Sequence, residues 1–267
     1  MTNSRNPYLM EPPFSIAFSG GASSGFMLYR ILEAYDFKLP NESAVLFANT
    51  GLEHEKTLDF VKEIDERWNV GIVWLEYQEG TRFKVVNYET ASRRGEPFSD
   101  LVRSKNCLPT PVARICTSNL KMRAMIHYLK SLGWEEWDNA IGLRADEPRR
   151  ALRIKGDYAC ETPVCPMYEA GHTLEDVERF WEDQEFRLEI PRWKGNCVGC
   201  FLKSRGRIEM VAEEEPDALR WWVEIEKELG INFRLDRPSY ENLVTQVTIQ
   251  GRLFDDDGST MPCSCTD

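Results

Sequence analysis

The sequence predicts an α/β protein: an open, mostly parallel, twisted sheet flanked by helices, with a helical and loop-rich C-terminal part. Three features of the 267-residue chain predict it. Short apolar runs alternate with helix-patterned segments through the first half, and alternation of that kind builds a parallel sheet. The first apolar run enters its helix through adjacent glycines and serines. Beyond about residue 156 the pattern is mostly helix and loop, so a soft boundary divides 1–156 from 157–267, two parts expected to share one site.

The first strand is Phe14 to Phe18, and it stops at Ser19-Gly20-Gly21. A helix follows at once through Ser23, Ser24 and Gly25, with Phe26, Met27, Tyr29, Ile31 and Leu32 along it. Glycine reaches backbone conformations closed to other residues, and the first amides of a helix are orphan donors at the positive end of its dipole. The turn therefore reads as an anion cradle in which Ser19, Ser23 and Ser24 add hydroxyls. A turn that needs small residues only for packing is the alternative. The glycine spacings of P-loop and dinucleotide folds do not fit, because Gly20 and Gly21 are adjacent and no lysine follows.

Ala44 to Ala48 forms a second strand, Glu55 to Trp68 a helix and Gly71 to Glu76 a third strand. Residues 78–112, broken by Gly80, Gly95, Pro97, Pro109 and Pro111, read as an active-site excursion rather than core. A helix from about Ser118 to Leu132 ends at Gly133, and Asn139 to Leu143 gives a fourth strand. Thr173-Leu174-Glu175-Asp176 has the form of a helix start, with Val177, Phe180 and Trp181 on its apolar face. A last helical pattern runs from Pro216 to Leu229 with Leu219, Trp222, Val223 and Leu229.

The chain is 42% hydrophobic and 11% aromatic, enough for a full core in one domain or one domain with a lobe. A net charge of −11 argues against a nonspecific nucleic-acid coat. Basic runs at Arg144, Arg149, Arg150, Arg153 and Lys155, and at Lys203, Arg205 and Arg207, instead fit a phosphorylated small molecule or one defined stretch of nucleic acid. No stretch approaches the roughly 20 apolar residues that span a bilayer, and Met1 to Pro13 lacks a signal pattern, so a cytoplasmic protein without a membrane role is expected. Eight cysteines in such a chain point to metal or redox duty rather than disulfides.

The polar turn Ala48-Asn49-Thr50-Gly51-Leu52-Glu53 lies at the carboxyl end of the second strand, the edge that lines the ligand crevice in an open parallel sheet. A strand with Ser-Gly-Gly-x-x-Ser followed by a strand with Asn-Thr-Gly-x-Glu resembles the PP-loop group of adenine-nucleotide alpha hydrolases, Rossmann-like in fold, and specifically its phosphoadenosine phosphosulfate (PAPS) reductase branch. Arg114-Ile115-Cys116-Thr117 with Lys121 is similar to the cysteine-and-lysine helix start of that branch. Gly142 to Glu147 with Arg149 resembles its arginine turn, and Cys197-Val198-Gly199-Cys200 completes a set spanning roughly residues 14–205.

The resemblance implies an adenine nucleotide, ATP or PAPS/APS, with Mg2+ beside ATP. Its phosphates would lie on Ser19, Gly20, Gly21, Ser23 and Ser24, and the Asn49, Thr50, Gly51 and Glu53 turn would also face the nucleotide, with adenine and ribose near Phe18, Ala48 and Asn49. Lys121, Arg144 and Arg149 would neutralise negative charge. PP-loop pyrophosphatases carry lysine and aspartate where this chain has Ala22 and Ser23, a departure that bears on ATP cleavage.

Cys116 precedes Cys197 by 81 residues, a spacing similar to that of iron–sulfur members, so Cys116, Cys197 and Cys200 are expected to hold a 4Fe-4S cluster with Cys107 or a tail cysteine as fourth ligand. Zinc or a redox dithiol on the same residues remains open. Cys265, in the tail Cys263-Ser264-Cys265, has the makings of a nucleophile, a sulfur carrier or a ligand. Three activities follow: sulfur transfer to an activated acceptor with a nucleic acid or sulfur donor as partner, reduction of PAPS or APS to sulfite, or nucleotide binding without catalysis around structural zinc. His54, His127 and His172 do not fall in metal spacing.

Overall fold

The computed structural model describes residues 6–154, 159–191 and 193–251. Cys263, Cys265 and Lys155 lie outside them.

Six strands form one sheet in the order β4-β3-β2-β1-β5-β6. β1 (Phe14–Ala17) lies at its centre, parallel to β2 (Ser43–Asn49) on one side and to β5 (Trp137–Ile141) on the other. β3 (Val73–Glu76) pairs parallel to β2, and β6 (Glu161–Val164) parallel to β5. β4 (Lys84–Val86) closes one edge antiparallel to β3. The chain builds outward from β1 through β2 to β3, then crosses over to β5, so strand order reverses between β1 and β5. Ligands of open α/β sheets bind outside the carboxyl ends of the strands at such a point.

Both faces of this sheet are covered, which is why β2 reads as the unbroken apolar run Ala44 to Ala48 rather than as an alternation. α1 (Ala22–Ala34) buries Phe26, Met27, Leu28, Ile31 and Leu32, and α2 (Glu55–Trp68) buries Leu58, Phe60, Val61 and Ile64. α7 (Leu174–Glu182) lays Trp181 across the start of α1, so closely that a Cβ at Gly25 would sit 2.8 Å from the indole. Its Thr173 and Asp176 form the expected capping box.

Residues 78–112 carry more structure than expected. They hold β4 and α3 (Glu96–Lys105), whose Phe98, Leu101 and Val102 are buried. Gly95 and Pro97, taken above as breakers, begin that helix, with Gly95 as its left-handed N-cap and Pro97 in its first turn. The helix expected from Ser118 begins earlier as a π-helical segment, Cys116–Arg123, and continues as α4 (Ala124–Ser131). The fourth expected strand is β5, placed two residues towards the N-terminus, and β6 was not anticipated.

After the short helices α5 (Pro148–Ala151) and α6 (Pro166–Glu169), the C-terminal part is helical: α8 (Arg205–Glu214), a 3-10 turn at Pro216–Leu219, α9 (Arg220–Leu229) and α10 (Tyr240–Gln250). Trp222, Phe233, Tyr240 and Leu243 form a second core there, which also takes in the buried face of α3 and Val198 to Leu202. Among the described residues no helix is long and apolar enough to cross a membrane.

Candidate functional site

The turn between β1 and α1 is built by close approach. Gly20 has φ +76°, and a Cβ there would lie 2.7 Å from Thr57 Cγ2, so only glycine fits. Gly21 is the N-cap of α1 and leaves the first amides of that helix without a side-chain cap. Ser24 Oγ donates to Gly21 O at 3.0 Å, accepts from Ser19 N at 3.2 Å and lies 2.9 Å from Ser19 Oγ. Gly142, at the end of β5, would place a Cβ 3.2 Å from Ser24 Cα, so the two central strands deliver their turns to one point.

Arg144 then reaches across. It is 7% exposed, and its Nη1 donates to Ser23 Oγ at 2.8 Å while its Nε donates to Asp146 Oδ1 at 3.0 Å. A guanidinium thus stands on the anion turn from the β5 side.

A crevice of about 310 Å3 opens between the ends of β1 and β5, walled by Phe18, Ser19, Ser24, Ala48, Thr117 and Lys121. Arg114, Arg150 and Arg153 also line it, whereas Arg149 is exposed on α5 and does not. The basic run singled out in the sequence contains Arg150 and Arg153, and their spacing of three residues is the signal that places both on one side. Arg114 had no such signal.

The second polar turn is spent mostly on itself. Asn49 is fully buried; its amide donates to Glu76 Oε1 at 2.6 Å and to Ser92 O at 2.8 Å, and its Oδ1 accepts from Gly51 N at 3.1 Å. Thr50 donates from N and Oγ1 to the Glu53 carboxylate, each at 2.9 Å. Glu53 Oε1 lies 3.9 Å from Lys121 Nζ, which ties this turn to the π-helical segment. π-Helical turns are rare and concentrate at functional sites.

Cys116, Cys197 and Cys200 wall one small cavity of about 20 Å3, together with Glu53 and Lys121. Glu53 and Cys197 also form an antiparallel bridge. The loop that carries Cys197 and Cys200 is pinned from beneath. Buried Lys203 donates its Nζ to the carbonyls of Cys197 and, at 2.9 Å, Val198; Tyr240 Oη donates to Gly199 O at 2.6 Å; and Arg237 donates to Phe201 O at 3.0 Å. None of these supports was evident in the sequence, because they come from residues up to 41 positions away.

The donor set suits a thiolate-held group in kind, with three thiols from two elements around one space. The space matches roughly one water. Among the described residues no group of three or more histidine, cysteine or acidic side chains is arranged to hold a metal ion. Cys107 is half-buried after α3 and does not line the cavity. Burial pushes the Cys165 thiol up to about 11, with Glu169 adding to the shift. His54 caps α2, accepting from Lys56 N at 3.1 Å, and burial lowers its pKa.

Fold and site together define a doubly wound α/β protein with a tight glycine–serine turn and a crevice at its switch point. The family model described as phosphoadenosine phosphosulfate reductase domain matches residues 13–156, and the chain belongs to that family. It is 28% identical over 221 residues to the uncharacterized nin region protein ORF290 of Escherichia phage lambda, covering 79% of this chain and 73% of that protein. It is 25% identical over 235 residues to an uncharacterized 37.8 kDa protein of Escherichia phage 186, covering 74% of this chain and 69% of that protein. The crystal structure of PAPS reductase from Candida auris, a phosphate complex, superimposes with a TM-score of 0.50 at 13% identity, over 74% of this chain and 89% of that one. That likeness is one of fold.

Proposed function

We propose that this chain is an adenine-nucleotide enzyme of sulfur chemistry that activates an acceptor with ATP and delivers sulfur to it. One observation carries the reading: Thr117 and Lys121 wall both the nucleotide-sized crevice and the three-thiol cavity, so the two spaces stand back to back.

In this reading the adenosine lies between the ends of β1 and β5, and the phosphates rest on Ser19 to Ser24. Arg144 supplies at Ser23 the positive charge that Ala22 does not. An oxygen of the acceptor attacks the α-phosphorus and the bond to pyrophosphate breaks. A sulfide-level donor then forms the bond to the acceptor, and AMP leaves with the oxygen. Lys121, held near Glu53, meets negative charge on the side of the thiols. In donor type Cys116, Cys197 and Cys200 suit a 4Fe-4S cluster, which when bound would supply iron chemistry for sulfur, although the space between them in this structure is about that of one water.

Sulfonucleotide reduction is the second reading, favoured by Ala22, since a reductase has no pyrophosphate to stabilise. Anaerobic purification followed by separate incubation with ATP, sulfide and an oligonucleotide acceptor, and with PAPS and a dithiol reductant, decides. Brown protein with about four irons per chain and AMP release from ATP is the expected result. Sulfite from PAPS without AMP release would replace the first reading by the second, and colourless protein with stoichiometric zinc would remove the cluster.

A further inference from the structure

A second cleft, of about 650 Å3, touches the anion turn at Ala22, Ser23 and Arg144, whereas the crevice touches it at Ser19 and Ser24. The activity above draws on Ser23 and Arg144 at its edge and leaves the rest of the cleft unused. Its volume falls in the range of small-molecule sites. Arg187 and Arg207 join Arg144 on its walls, and Glu178 and Glu182 of α7 lie there too. Arg144 is itself paired with Asp146 and Glu147, so the carboxylates about the cleft leave no excess of positive charge for a polyphosphate chain, and a single phosphate group met by guanidinium forks is the anion it suits. Trp193 adds a half-buried aromatic ring.

Asn196 makes the cleft selective. It is 2% exposed, its Nδ2 donates to Ser19 O at 3.0 Å, and its Oδ1 has no hydrogen-bond partner among the described residues. A buried amide oxygen left in that state costs about 1–3 kcal/mol, a cost that a ligand N–H or O–H would remove. The next residue is Cys197, so a ligand against Asn196 sits one residue from the thiols.

We infer that this cleft is the acceptor site, and that it takes a nucleoside monophosphate unit, free or within a single strand. The phosphate meets Arg144, Arg187 and Arg207, the base lies against Trp193, and a base N–H donates to Asn196 Oδ1. Arg144 then stands between the phosphates of the nucleotide in the crevice and that of the acceptor. The inference rests on the acceptor-activating reading above, but its test is separable from it.

The test uses the full chain with two fluorescein-labelled probes, a 5′-phosphorylated oligouridine tetranucleotide and UMP, and inorganic phosphate as an unlabelled competitor, with and without saturating ATP. Probe binding is read by polarisation and ATP binding by calorimetry. Arg187→Ser, at an exposed position, and Trp193→Ala should each weaken the probe about tenfold, the loss expected for one charge-assisted contact and for one stacked base respectively, while ATP affinity stays within twofold. Trp193→Phe should restore most of the loss. A tetranucleotide that binds more tightly than UMP assigns the acceptor to a strand, and equal binding assigns it to a free nucleotide; both uphold the cleft. Displacement of the probe by ATP, or no saturable binding of any probe, overturns the proposal. Probe binding without AMP release from ATP would uphold the cleft and defeat the earlier reading alone.

Discussion

Gly199 lies between the two cysteines of the thiol loop, and replacing it with alanine tests whether the loop depends on contact with the second core. An added Cβ would lie 2.1 Å from Trp222 Nε1, 2.4 Å from Cδ1 and 2.7 Å from Cε2. Ordinary carbon contacts need about 3.5 Å, so loop and indole must part by roughly 1 Å or more. Trp222 is 1% exposed and stacked on Tyr240, with ring centroids 5.4 Å apart, and Tyr240 holds the Gly199 carbonyl at 2.6 Å. The indole cannot yield without disturbing the bond that pins the loop. Overpacking costs about 1–3 kcal/mol, and the rigid wall on both sides places Gly199→Ala near the upper end. Urea denaturation should show that loss, and Ellman titration should show faster reaction of Cys197 and Cys200 as the loop lifts. In a Trp222→Phe background, which removes the nearest ring atom, the penalty should shrink by about half or more. A loss under about 0.5 kcal/mol, or one undiminished in that background, refutes the argument.

Four further outcomes follow from contacts elsewhere in the fold. Arg144→Met should weaken ATP and PAPS about tenfold by calorimetry, and Arg144→Lys should recover only part of it, because lysine cannot reproduce the guanidinium fork that spans Ser23 and Asp146. Thr173→Ala should cost about 1 kcal/mol through loss of the α7 cap. The Asp176 carboxyl is held below its ordinary pKa, chiefly by the Thr173 backbone N–H, so its stabilisation is present above the unfolded carboxyl pKa and is lost as pH falls through the folded value; Asp176→Asn should flatten the acid limb of stability below about pH 4. With its thiol pushed up to about 11, Cys165 should be the slowest of the described cysteines to take iodoacetamide at pH 8 in the native protein, read by peptide mass spectrometry.

What was legible in the sequence was local. Phe14 to Ser24 announces a strand, a tight turn and a helix within a dozen residues, because each step needs a particular side chain or none. The run Ala44 to Ala48 is legible for the same reason, since a strand covered on both faces must be apolar throughout. β4 and β6 are only three and four residues long, and they gain their hydrogen bonds from β3 and β5 rather than from any pattern of their own. α3 was obscured by glycine and proline, which serve as well at a helix start as in a loop. The crevice arginines divide along the same line: Arg150 and Arg153 belong to a visible basic run, whereas Arg114 faces the crevice only because the π-helical segment turns beside it.

The anion turn shows most plainly why a motif and a site are different things. At Ala22 the chain lacks the lysine that PP-loop pyrophosphatases carry, and by motif alone the turn has lost its charge. In the fold, Trp181 donates its Nε1–H to Ala22 O at 2.9 Å and packs on Gly25, so α7 presses on that corner of α1. Charge arrives instead from the far side of the switch point, where Arg144 bonds Ser23 across 121 positions of sequence. An anion responds to the position of a guanidinium in space and not to its place in the chain. The same arrangement explains why two cavities share this turn: Ser19 and Ser24 face the crevice, whereas Ser23 and Arg144 face the cleft.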